Sequence, residues 1–560
     1  MFDNKTVIGK RRAEIYTAVK NALTEAKQQG LLDYQQLPDF AVEMPREAAH
    51  GDFAVNAAML LSKQCRKPPR DIAKLIAEHI DFTGTEVEKM EIAGPGFINF
   101  RMREGWLGRV LCEIIAEGGR FGDSSLGGGQ KVQVEFVSAN PTGELHMGNA
   151  RGAAIGDSLV NLLNMAGYVA EREFYVNDAG NQIEKFALTL EALYLQKLGE
   201  DAPFPEDGYH GADLPPLIDG LIAELGDKWQ HIEPELRREY LAEYALKRKL
   251  QAIREALADF GVIYDVWFSE RSLHDSGAIK QVVGELRAAG WLLDKDGAVW
   301  LDCERMGEEK PEVLIRANGL PTYFAADIAY HRNKFERGFN TVIDIWGADH
   351  HGHVARMKGA MEAIGYHREQ LEVILMQFVR LYQNGELLKM SKRTGTYVTL
   401  QELIEEVGRD AARFLFVMRS ADSLIDFDMD LAKSQSNDNP VYYVQYAHAR
   451  ICSILAAAGC DKQPQACQGE LLTHASELAL IRRLADFPDE VAYAAYHREP
   501  HRVAAYVLEL AGMFHNFYAQ CHCIVEDAEL MRARLSLVKM VAKTIERGLG
   551  ALGVSAPDKM

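Results

Sequence analysis

Two short segments, far apart in the chain, carry residues that could bind a nucleoside triphosphate. The first is Ser138-Ala-Asn-Pro-Thr-Gly-Glu-Leu-His-Met-Gly-Asn149, a turn-rich stretch with one histidine between an apolar strand and a helix. The second is Leu388-Lys-Met-Ser-Lys-Arg-Thr-Gly395, which combines two lysines with a serine. A loop that joins a strand to a helix N-terminus presents unbonded N–H groups and the positive end of the helix dipole. The first segment therefore predicts an anion site.

The chemistry of such a site assigns roles to individual residues. His146 can donate a hydrogen bond to phosphate oxygens as charge builds on the α-phosphorus, and Gly148 lets a nucleotide approach the backbone closely. Lys389 and Lys392 follow a predicted hairpin turn at 384–385 and could neutralise the β- and γ-phosphates of a departing pyrophosphate. Taken singly, each segment is equally typical of an ordinary loop. Together they favour a nucleotide site with His146, Lys389 and Lys392 as its catalytic residues.

The composition predicts a large multidomain protein. The chain has 560 residues, more than one hydrophobic core usually serves. No apolar run approaches the roughly 18 to 20 residues that span a bilayer, and no leader is evident, so we expect a cytoplasmic protein. The eight cysteines are scattered, which favours reduced thiols. A net charge of -19, taken alone, argues against a nucleic-acid partner, but the sum does not show how the charge is distributed.

The predicted pattern of helices and strands that must position these residues differs between regions of the chain. Residues 1–115 read as a small α+β unit with helices over 10–29 and 71–80, and strands over 87–92 and 97–100 joined by the turn 93–96. Residues 116–400 alternate strands and helices, which is typical of a parallel sheet with crossover helices. An acidic, then strongly charged stretch near 200–258 reads as an insertion. Beyond residue 400 no strand pattern is recognised, and the helical spacing of apolar residues over 401–560 predicts an all-α bundle.

The α/β region can be resolved further into expected elements. The predicted strands and helices are 132–137, 148–166, 169–176 and 179–198 before the insertion, then 313–315, 325–336, 341–346, 354–364 and 372–382 after it. In the bundle, helical spacing of apolar residues covers 402–419, 442–458, 471–485, 503–521 and 528–552.

These motifs carry a resemblance to a known family. His146-Met-Gly-Asn149 and Lys389-Met-Ser-Lys392 resemble the two signature sequences of class I aminoacyl-tRNA synthetases. The segments 134–143, 148–153 and 175–182 are similar to those of arginyl-tRNA synthetases of the bacterial type, and the similarity extends to 51–56, 94–99 and 511–518. One position departs from the pattern, because Asn149 stands where the family usually has histidine. Asparagine can donate a hydrogen bond but cannot be cationic.

The resemblance implies a fold and an activity. The fold is a Rossmann-like catalytic domain with a parallel sheet and insertions, preceded by an N-terminal tRNA-contacting domain and followed by a helical anticodon-binding domain. The activity is ATP-dependent ligation of L-arginine to tRNA(Arg) through an arginyl-adenylate, in protein synthesis. ATP would be a substrate with Mg²⁺, no protein-coordinated metal is expected, and a cytoplasmic monomer without membrane contact is expected. The residues implied to bind ATP are His146, Gly148, Asn149, Lys389, Met390, Ser391 and Lys392.

An arginine site needs carboxylates for the planar, permanently charged guanidinium, together with a flat wall. Glu135 lies in an otherwise apolar strand, and Tyr323 and Asp327 share one face at the start of a helix. These three match the family's contacts to the arginine side chain, while Ser138 and Asn140 match contacts to the amino and carboxylate groups. Without the resemblance, we would favour a surface carboxylate for Glu135 and a helix-dipole carboxylate for Asp327.

The cluster Asp349-His-His-Gly-His353 admits two interpretations. Three histidines and an aspartate could bind zinc if they converged tetrahedrally. The segment also follows a predicted strand at the edge where the family places residues touching arginine and adenosine, and we favour that interpretation. His350 is assigned to the arginine site on this basis, although the family often has glutamine there.

The resemblance also implies tRNA contacts. Phe53 and Asn56 match positions that contact a D-loop base, where a phenylalanine can stack and an amide can read the base edge. In the bundle, Tyr443, Phe514 and Tyr518 belong to an interleaved set of aromatic and cationic residues suited to an anticodon loop. The alternative for each is a core residue. Two other functions stay open: an adenylate-forming enzyme for another amino acid, and a non-catalytic tRNA-binding relative.

Overall fold

The computed structural model describes residues 3–45, 47–306, 310–388, 398–459 and 467–560. Lys389, Met390, Ser391 and Lys392, predicted from the second signature, lie outside these ranges. None of the helices in the described ranges is both long enough and apolar enough to cross a lipid bilayer.

The N-terminal region packs helices against a four-stranded antiparallel sheet of order β1-β2-β4-β3. Its elements are α1 (Val7–Gln28), β1 (Val42–Glu43), β2 (Phe53–Val55), α2 (Ala57–Cys65), α3 (Pro69–His79), β3 (Val87–Ala93), β4 (Phe97–Met102) and α4 (Trp106–Glu117). The predicted turn over 93–96 is confirmed. Gly94 and Gly96 have φ of +49° and +148°, which glycine adopts without the strain of a side chain.

The central region is built on a five-stranded parallel sheet of order β12-β11-β5-β6-β7. Its elements are β5 (Lys131–Glu135), α5 (Met147–Met165), β6 (Val169–Val176), α6 (Asn181–Lys197), α7 (Leu214–Leu225), α8 (Pro234–Asp259), β7 (Val266–Ser269), α9 (Arg271–Asp275), α10 (Ala278–Ala288), β8 (Leu292–Lys295), β9 (Ala298–Leu301), β10 (Glu312–Ile315), α11 (Tyr323–Glu336), β11 (Thr341–Gly347), α12 (His351–Ala363), β12 (Leu371–Met376), β13 (Val379–Gln383) and β14 (Glu386–Leu388). Strand order reverses between β5 and β11. In doubly wound sheets, ligands bind at the carboxyl ends of the strands beside such a reversal.

Local differences from the sequence prediction have physical causes. The first strand was expected to reach residue 137, but β5 ends at Glu135, and Val137 and Ser138 adopt left-handed φ of +70° and +37°. Such values are uncommon for residues with a side chain and concentrate at functional sites. The antiparallel sheet β10-β9-β8 was not predicted apart from residues 313–315, because its four-residue strands are too short for a periodic pattern.

The C-terminal region is a helical bundle with one added strand. Its elements are α13 (Leu400–Val407), α14 (Arg409–Val417), β15 (Ile425–Asp428), α15 (Met429–Lys433), α16 (Pro440–Ala457), α17 (Ala475–Ala485), α18 (Phe487–His497), α19 (His501–Gln520) and α20 (Ala528–Ala551). The expectation that strands vanish beyond residue 400 is wrong, because β15 pairs in parallel with β13. The single helix expected over 402–419 is two helices, divided at Gly408, whose φ is +80°.

Two buried arginines join the central sheet region to the bundle. Arg413 of α14 forms an ion pair with Asp157 of α5 and donates to the carbonyl oxygens of Phe260 and Leu552 at 3.1 and 3.0 Å. Arg151 of α5 donates to three carbonyl oxygens at 2.7 to 2.9 Å, those of Gln377, Ser420 and Ser423. Both side chains are fully buried.

The expectation of reduced thiols is wrong for one pair of cysteines. Cys112 of α4 and Cys467, which precedes α17, form a disulfide with a Cα separation of 5.4 Å. The sequence could not indicate it, because the two residues are 355 positions apart. Among the other cysteines in the described ranges, Cys65, Cys303, Cys452, Cys521 and Cys523 form no disulfide.

Candidate active site

His146 is the N-cap residue of α5 and lies at the carboxyl edge of the sheet. Its Nδ1 accepts a hydrogen bond from the backbone N–H of Gly148 at 3.1 Å. Because Nδ1 accepts, the proton of a neutral ring lies on Nε2. The fold thus selects the tautomer that can donate from Nε2 to a phosphate oxygen at the helix N-terminus.

Asn149 completes the cap of the same helix. Its Oδ1 accepts from the backbone N–H of His146 at 3.0 Å, so that the side chains of residues 146 and 149 each satisfy a backbone donor at the start of the helix, in the manner of a capping box. The residue that departs from the family pattern therefore holds the backbone of His146. Its amide nitrogen is the group that would donate to a nucleotide, in line with the prediction that Asn149 binds ATP.

The end of the first signature segment packs against the described residues that follow the second one. Met147 donates to the carbonyl oxygen of Val398 at 3.2 Å, and Leu400 donates to that of Leu145 at 2.8 Å. Between these bonds, His146 and Thr399 form an isolated antiparallel bridge. The predicted turn at 384–385 is confirmed, with φ of +52° and +74°, and it joins β13 to β14 just before Lys389.

Glu135 lies at the end of β5 and is only 9% exposed. Its Oε1 accepts from the Ser138 hydroxyl at 2.8 Å, and the same hydroxyl oxygen accepts from the backbone N–H of Tyr175 at 3.1 Å. Its Oε2 lies 2.5 Å from Nζ of Lys334, a lysine that is fully buried. Ser138 therefore orients Glu135 through a hydrogen bond that its left-handed backbone makes possible.

Lys334 does not serve Glu135 alone, because its Nζ also lies 2.7 Å from Oδ1 of Asp344. Burial raises the pKa of Glu135 above its usual range; Lys334 opposes the rise and the nearby carboxylate of Asp344 adds to it. Burial would also raise the pKa of Asp344, but the charges of Lys334 and His331 outweigh it and lower that pKa. Lys334 is thus shared between two buried carboxyl groups and compensates the burial of Glu135 only in part.

Asp327 and Tyr323 lie on the first turns of α11, facing the same edge. Oδ2 of Asp327 is 3.5 Å from Nε2 of His353, while its carbonyl oxygen accepts from Nδ1 of His331 at 2.7 Å. Tyr323 is 40% exposed and lies close to Gly180, where an added Cβ would come within 3.7 Å of its ring. Asn140 is exposed at this edge, after the end of β5.

Glu270 is a third carboxylate at this edge, and the sequence analysis missed it. It follows β7 directly, is 2% exposed, and bonds to the hydroxyl of Tyr175. Burial, together with the charges of Asp327 and Asp178, raises the pKa of Glu270 to about 7 despite the Tyr175 hydrogen bond. The pKa of Tyr175 is raised by burial and by the negative charges of Glu270, Asp327 and Glu135, so these three acids lie in the neighbourhood of its hydroxyl.

The rule that found Glu135 could have found Glu270 as well. Both are carboxylates at the end of a short apolar strand, where burial is costly without a cation. The stretch between the insertion and residue 313 was left unassigned in the sequence analysis, so the strand before Glu270 was not recognised.

The histidine-rich segment at 349–353 does not converge on one point. His353 faces Asp327, whereas Nε2 of His350 lies 3.8 Å from Asp349 and both of these side chains are more than 60% exposed. Within the described ranges, these residues form no group of three ligand atoms close enough for a metal ion. His350 lies 6.4 Å from the ring of Trp346, at the rim of the predicted arginine site.

The predicted tRNA contacts of the N-terminal region differ in exposure. Phe53 is fully buried, with its ring centroid 5.7 Å from that of Trp106, so in this conformation it is a core residue. Asn56 is the N-cap residue of α2, and its Oδ1 is buried without a hydrogen-bond partner among the described residues. A base edge could supply that partner. Contact of either residue with tRNA stays a prediction.

The bundle presents an aromatic surface on α16 and α19. Tyr443 packs 4.9 Å from His515, and the guanidinium of Arg450 lies 4.5 Å above the ring of Tyr518. Phe514 lies beneath them and is fully buried. Tyr443 and Tyr518 are half-buried and remain candidates for base stacking, while Phe514 supports them from the core.

Comparison with family models covers most of the chain. Residues 13–102 match the model described as arginyl tRNA synthetase N terminal domain. Residues 111–209 and 232–436 match tRNA synthetases class I (R), catalytic domain, and 444–560 match DALR anticodon binding domain. The catalytic match confirms a class I aminoacyl-tRNA synthetase fold, with the N-terminal domain and the helical C-terminal domain that the sequence predicted.

Full-length relatives narrow the class to one specificity. The curated arginine–tRNA ligase of Moorella thermoacetica is 56% identical to this chain, over 99% of this chain and 100% of the relative. That of Desulfitobacterium hafniense is 57% identical, over 98% of this chain and 98% of the relative. Solved structures include the Thermus thermophilus arginyl-tRNA synthetase, with 25% identity and a TM-score of 0.75 over 97% of this chain and all of that one. A putative arginyl-tRNA synthetase of Campylobacter jejuni has 33% identity and a TM-score of 0.75 over 82% of this chain and all of that one. The chain belongs to the arginyl-tRNA synthetase family.

Proposed function

We infer that this chain is an arginine–tRNA ligase that joins L-arginine to tRNA(Arg) through an arginyl-adenylate. The observation that carries the site assignment is the group of three carboxylates, Glu135, Glu270 and Asp327, around Tyr175 and beside the N-terminus of α5. An acidic pocket that holds a guanidinium next to a phosphate-binding helix is what arginine activation requires. The family relationship and the pocket support the same activity.

In the proposed complex, the guanidinium of arginine lies between Asp327 and Glu135, with Tyr323 as its flat wall. Charge-assisted hydrogen bonds from the planar guanidinium to carboxylates are strong and directional. Ser138 and Asn140 would contact the amino and carboxylate groups, and His350 would line the rim. Lysine lacks the planar group with paired N–H donors and citrulline lacks the positive charge, so the pocket should reject both.

Adenylate formation then needs the arginine carboxylate close to the α-phosphorus of ATP. A carboxylate oxygen forms the new bond to phosphorus, the bond from the α-phosphorus to the bridging oxygen breaks, and its electron pair leaves with pyrophosphate. Nε2–H of His146, the amide of Asn149 and the N–H groups of α5 including Gly148 would stabilise the developing charge. Lys389 and Lys392, with Met390 and Ser391, would hold the leaving phosphates. Mg²⁺ enters bound to ATP as part of that substrate.

In the second step, a terminal ribose hydroxyl of tRNA attacks the adenylate carbonyl, AMP leaves with the bonding electron pair, and the hydroxyl proton passes to the departing phosphate. Phe53, Asn56, Tyr443, Phe514 and Tyr518 are the residues proposed for the tRNA surface. Positioning and electrostatics supply the rate, because no covalent enzyme intermediate is needed. We further propose that the chain acts in the cytoplasm and that it is a monomer. The bacterial relatives and the absence of a membrane-spanning helix in the described residues support the location, but they do not bear on the oligomeric state.

Amino-acid-dependent exchange of pyrophosphate into ATP tests the proposed activity. We expect exchange with arginine and none with lysine, citrulline or ornithine, measured with and without tRNA. Comparing the two conditions also shows whether adenylate formation requires bound tRNA. Exchange that depends on a different amino acid would contradict the pocket assignment, and tRNA binding without any exchange would indicate a non-catalytic protein.

Arginine affinity is expected to depend on pH through Glu270. The guanidinium favours the ionised carboxyl, and with a pKa of about 7 the ionised fraction grows as pH rises from 6 to 8. The dissociation constant for arginine should therefore fall by up to about tenfold across this range. Calorimetric titration at several pH values measures it, and a Glu270→Gln variant should remove the dependence.

One neighbouring histidine supplies the control. Nε2 of His274 is 3.7 Å from Oε1 of Glu270, whereas the other groups facing it are Asp327, Asp178 and Tyr175. His274→Gln should leave the pH dependence in place. Loss of the dependence in this variant, or its persistence in Glu270→Gln, would assign the titration to another group.

A further inference from the structure

A cluster of His448, Cys452 and Asp558 on the bundle has no part in the proposed ligation. His448 and Cys452 are four residues apart on α16 and so share one face of the helix. Asp558 reaches them from the C-terminal tail that follows α20. One ligand atom from each residue lies within 4.8 Å of the others.

The spacing of these atoms fits a small tetrahedral site. Sγ of Cys452 is 4.0 Å from Nε2 of His448 and 3.5 Å from Oδ1 of Asp558. With zinc–sulfur bonds near 2.3 Å and zinc–nitrogen or zinc–oxygen bonds near 2.1 Å, such pairs of ligand atoms are about 3.5 Å apart. The third pair, His448 and Asp558, lies within 4.8 Å, so a common ion would draw these atoms closer together.

The imidazole of His448 is oriented for coordination. Its Nδ1 lies 3.0 Å from the carbonyl oxygen of Pro557, and since a carbonyl can only accept, Nδ1 carries the proton. Nε2 is then the nitrogen that keeps a lone pair, and it lies 4.0 Å from Sγ of Cys452, which is 3.8 Å from Nδ1. Metal-bound histidines almost always donate their second nitrogen in this way, often to a backbone carbonyl. The side chain is 4% exposed, which holds the ring in place.

The tail that brings Asp558 to α16 is positioned by other contacts. Nε2 of Gln445 donates to the carbonyl oxygen of Ser555 at 2.9 Å, and Oδ2 of Asp410 accepts from the backbone N–H of Ser555 at 3.2 Å. The three side chains are therefore brought together by the fold itself. Asp558 is exposed and Cys452 partly so, which leaves one side open for an ion and a water molecule.

We propose that His448, Cys452 and Asp558 bind one Zn²⁺ ion, with water as fourth ligand, and that the ion fastens the C-terminal tail to α16. The mixture of thiolate, imidazole and carboxylate favours zinc over the hard cations Mg²⁺ and Ca²⁺. This site departs from the expectation of no protein-coordinated metal. Sequence spacing could not reveal it, because Cys452 and Asp558 are 106 residues apart.

Metal binding to the full-length chain tests the proposal. After chelation and dialysis against Zn²⁺, elemental analysis should find about one zinc per chain, with competition by a chromophoric chelator giving its affinity. Asp558→Asn should weaken binding at least about tenfold. Asp438→Asn, which removes the same charge from an exposed position elsewhere in the bundle, should not change it. Equal zinc affinity in Asp558→Asn and the unchanged chain would overturn the site.

Cobalt substitution identifies the ligands independently of affinity. Co²⁺ bound to the unchanged chain should show a thiolate-to-cobalt charge-transfer band and the intense visible bands of a tetrahedral ion. Cys452→Ser should remove the charge-transfer band, whereas Cys65→Ser, a thiol in the N-terminal region, should keep it. A spectrum without the thiolate band, or one unaffected by Cys452→Ser, would refute coordination by Cys452. Zn²⁺ should also raise the melting temperature of the unchanged chain but not of Asp558→Asn, by stabilising only the folded state.

Discussion

An Asp327→Asn variant is expected to bind arginine at least about 30-fold more weakly than the unchanged chain. Removing one partner of a desolvated charge pair costs about 2 to 5 kcal/mol, and the neutral amide would leave the guanidinium with Glu135 as its direct carboxylate partner. The KM for arginine in the exchange reaction, measured beside kcat, reports this loss. Discrimination against citrulline should fall as well, since the pocket would no longer demand a full positive charge.

Asp349→Asn is the matched control for this variant. Asp349 follows β11 at the same edge of the sheet, but its side chain is 65% exposed, so water screens its charge. We expect its KM for arginine to change by less than about twofold. A large effect in the control would mean that general electrostatic attraction, rather than direct contact, governs affinity. Unchanged arginine affinity in Asp327→Asn would remove Asp327 from the pocket.

A His146→Asn variant is expected to form the adenylate about 100 to 1,000 times more slowly while keeping its fold. Asparagine can still accept from the N–H of Gly148 as an N-cap residue, but it cannot place a donor where Nε2–H lies. Loss of a single donor to a developing oxyanion costs a factor of this size. Because the contact is made mainly in the transition state, kcat should fall while the KM for arginine changes little.

His146→Ala separates the capping role from the catalytic role. It removes both the acceptor at the helix N-terminus and the Nε2 donor, so we expect the same loss of rate together with a loss of about 1 kcal/mol in the free energy of unfolding. Chemical denaturation followed by circular dichroism measures the difference. A His146→Asn enzyme with nearly full activity would show that the histidine serves only to cap the helix.

The parts of the fold that the sequence predicted best are those specified by local patterns. The strand over 169–176 has the predicted bounds, and the helix expected over 148–166 is shifted by one residue. The turn at 384–385 was recognised because asparagine and glycine tolerate the left-handed backbone that a tight hairpin needs. Strand β15 was missed, since four residues do not establish an alternating pattern inside a helical region.

The site depends more on contacts between distant residues, and there the sequence was less informative. Glu135 stood out as a carboxylate in an apolar strand, but its partner Lys334 is 199 residues away and lies on a helix with no unusual pattern. Glu270 acquires its raised pKa only in the folded chain, from burial and from the nearby negative charge of Asp327. Asn149 looked like a lost cation in the sequence, whereas its position on the first turn of α5 gives it a capping role.

The two buried arginines between the sheet region and the bundle have a consequence for how the chain unfolds. If the bundle separated from the sheet, Arg413 would lose Asp157, and the carbonyl oxygens of Ser420 and Ser423 would lose Arg151. Separation would also expose the apolar side chains of both regions, which pack in one continuous core. The change near residue 400 from alternating strands and helices to helices alone therefore need not separate two regions that unfold independently. The central region and the bundle should unfold in one transition. A substitution that destabilises one of them should therefore lower the free energy of unfolding of both.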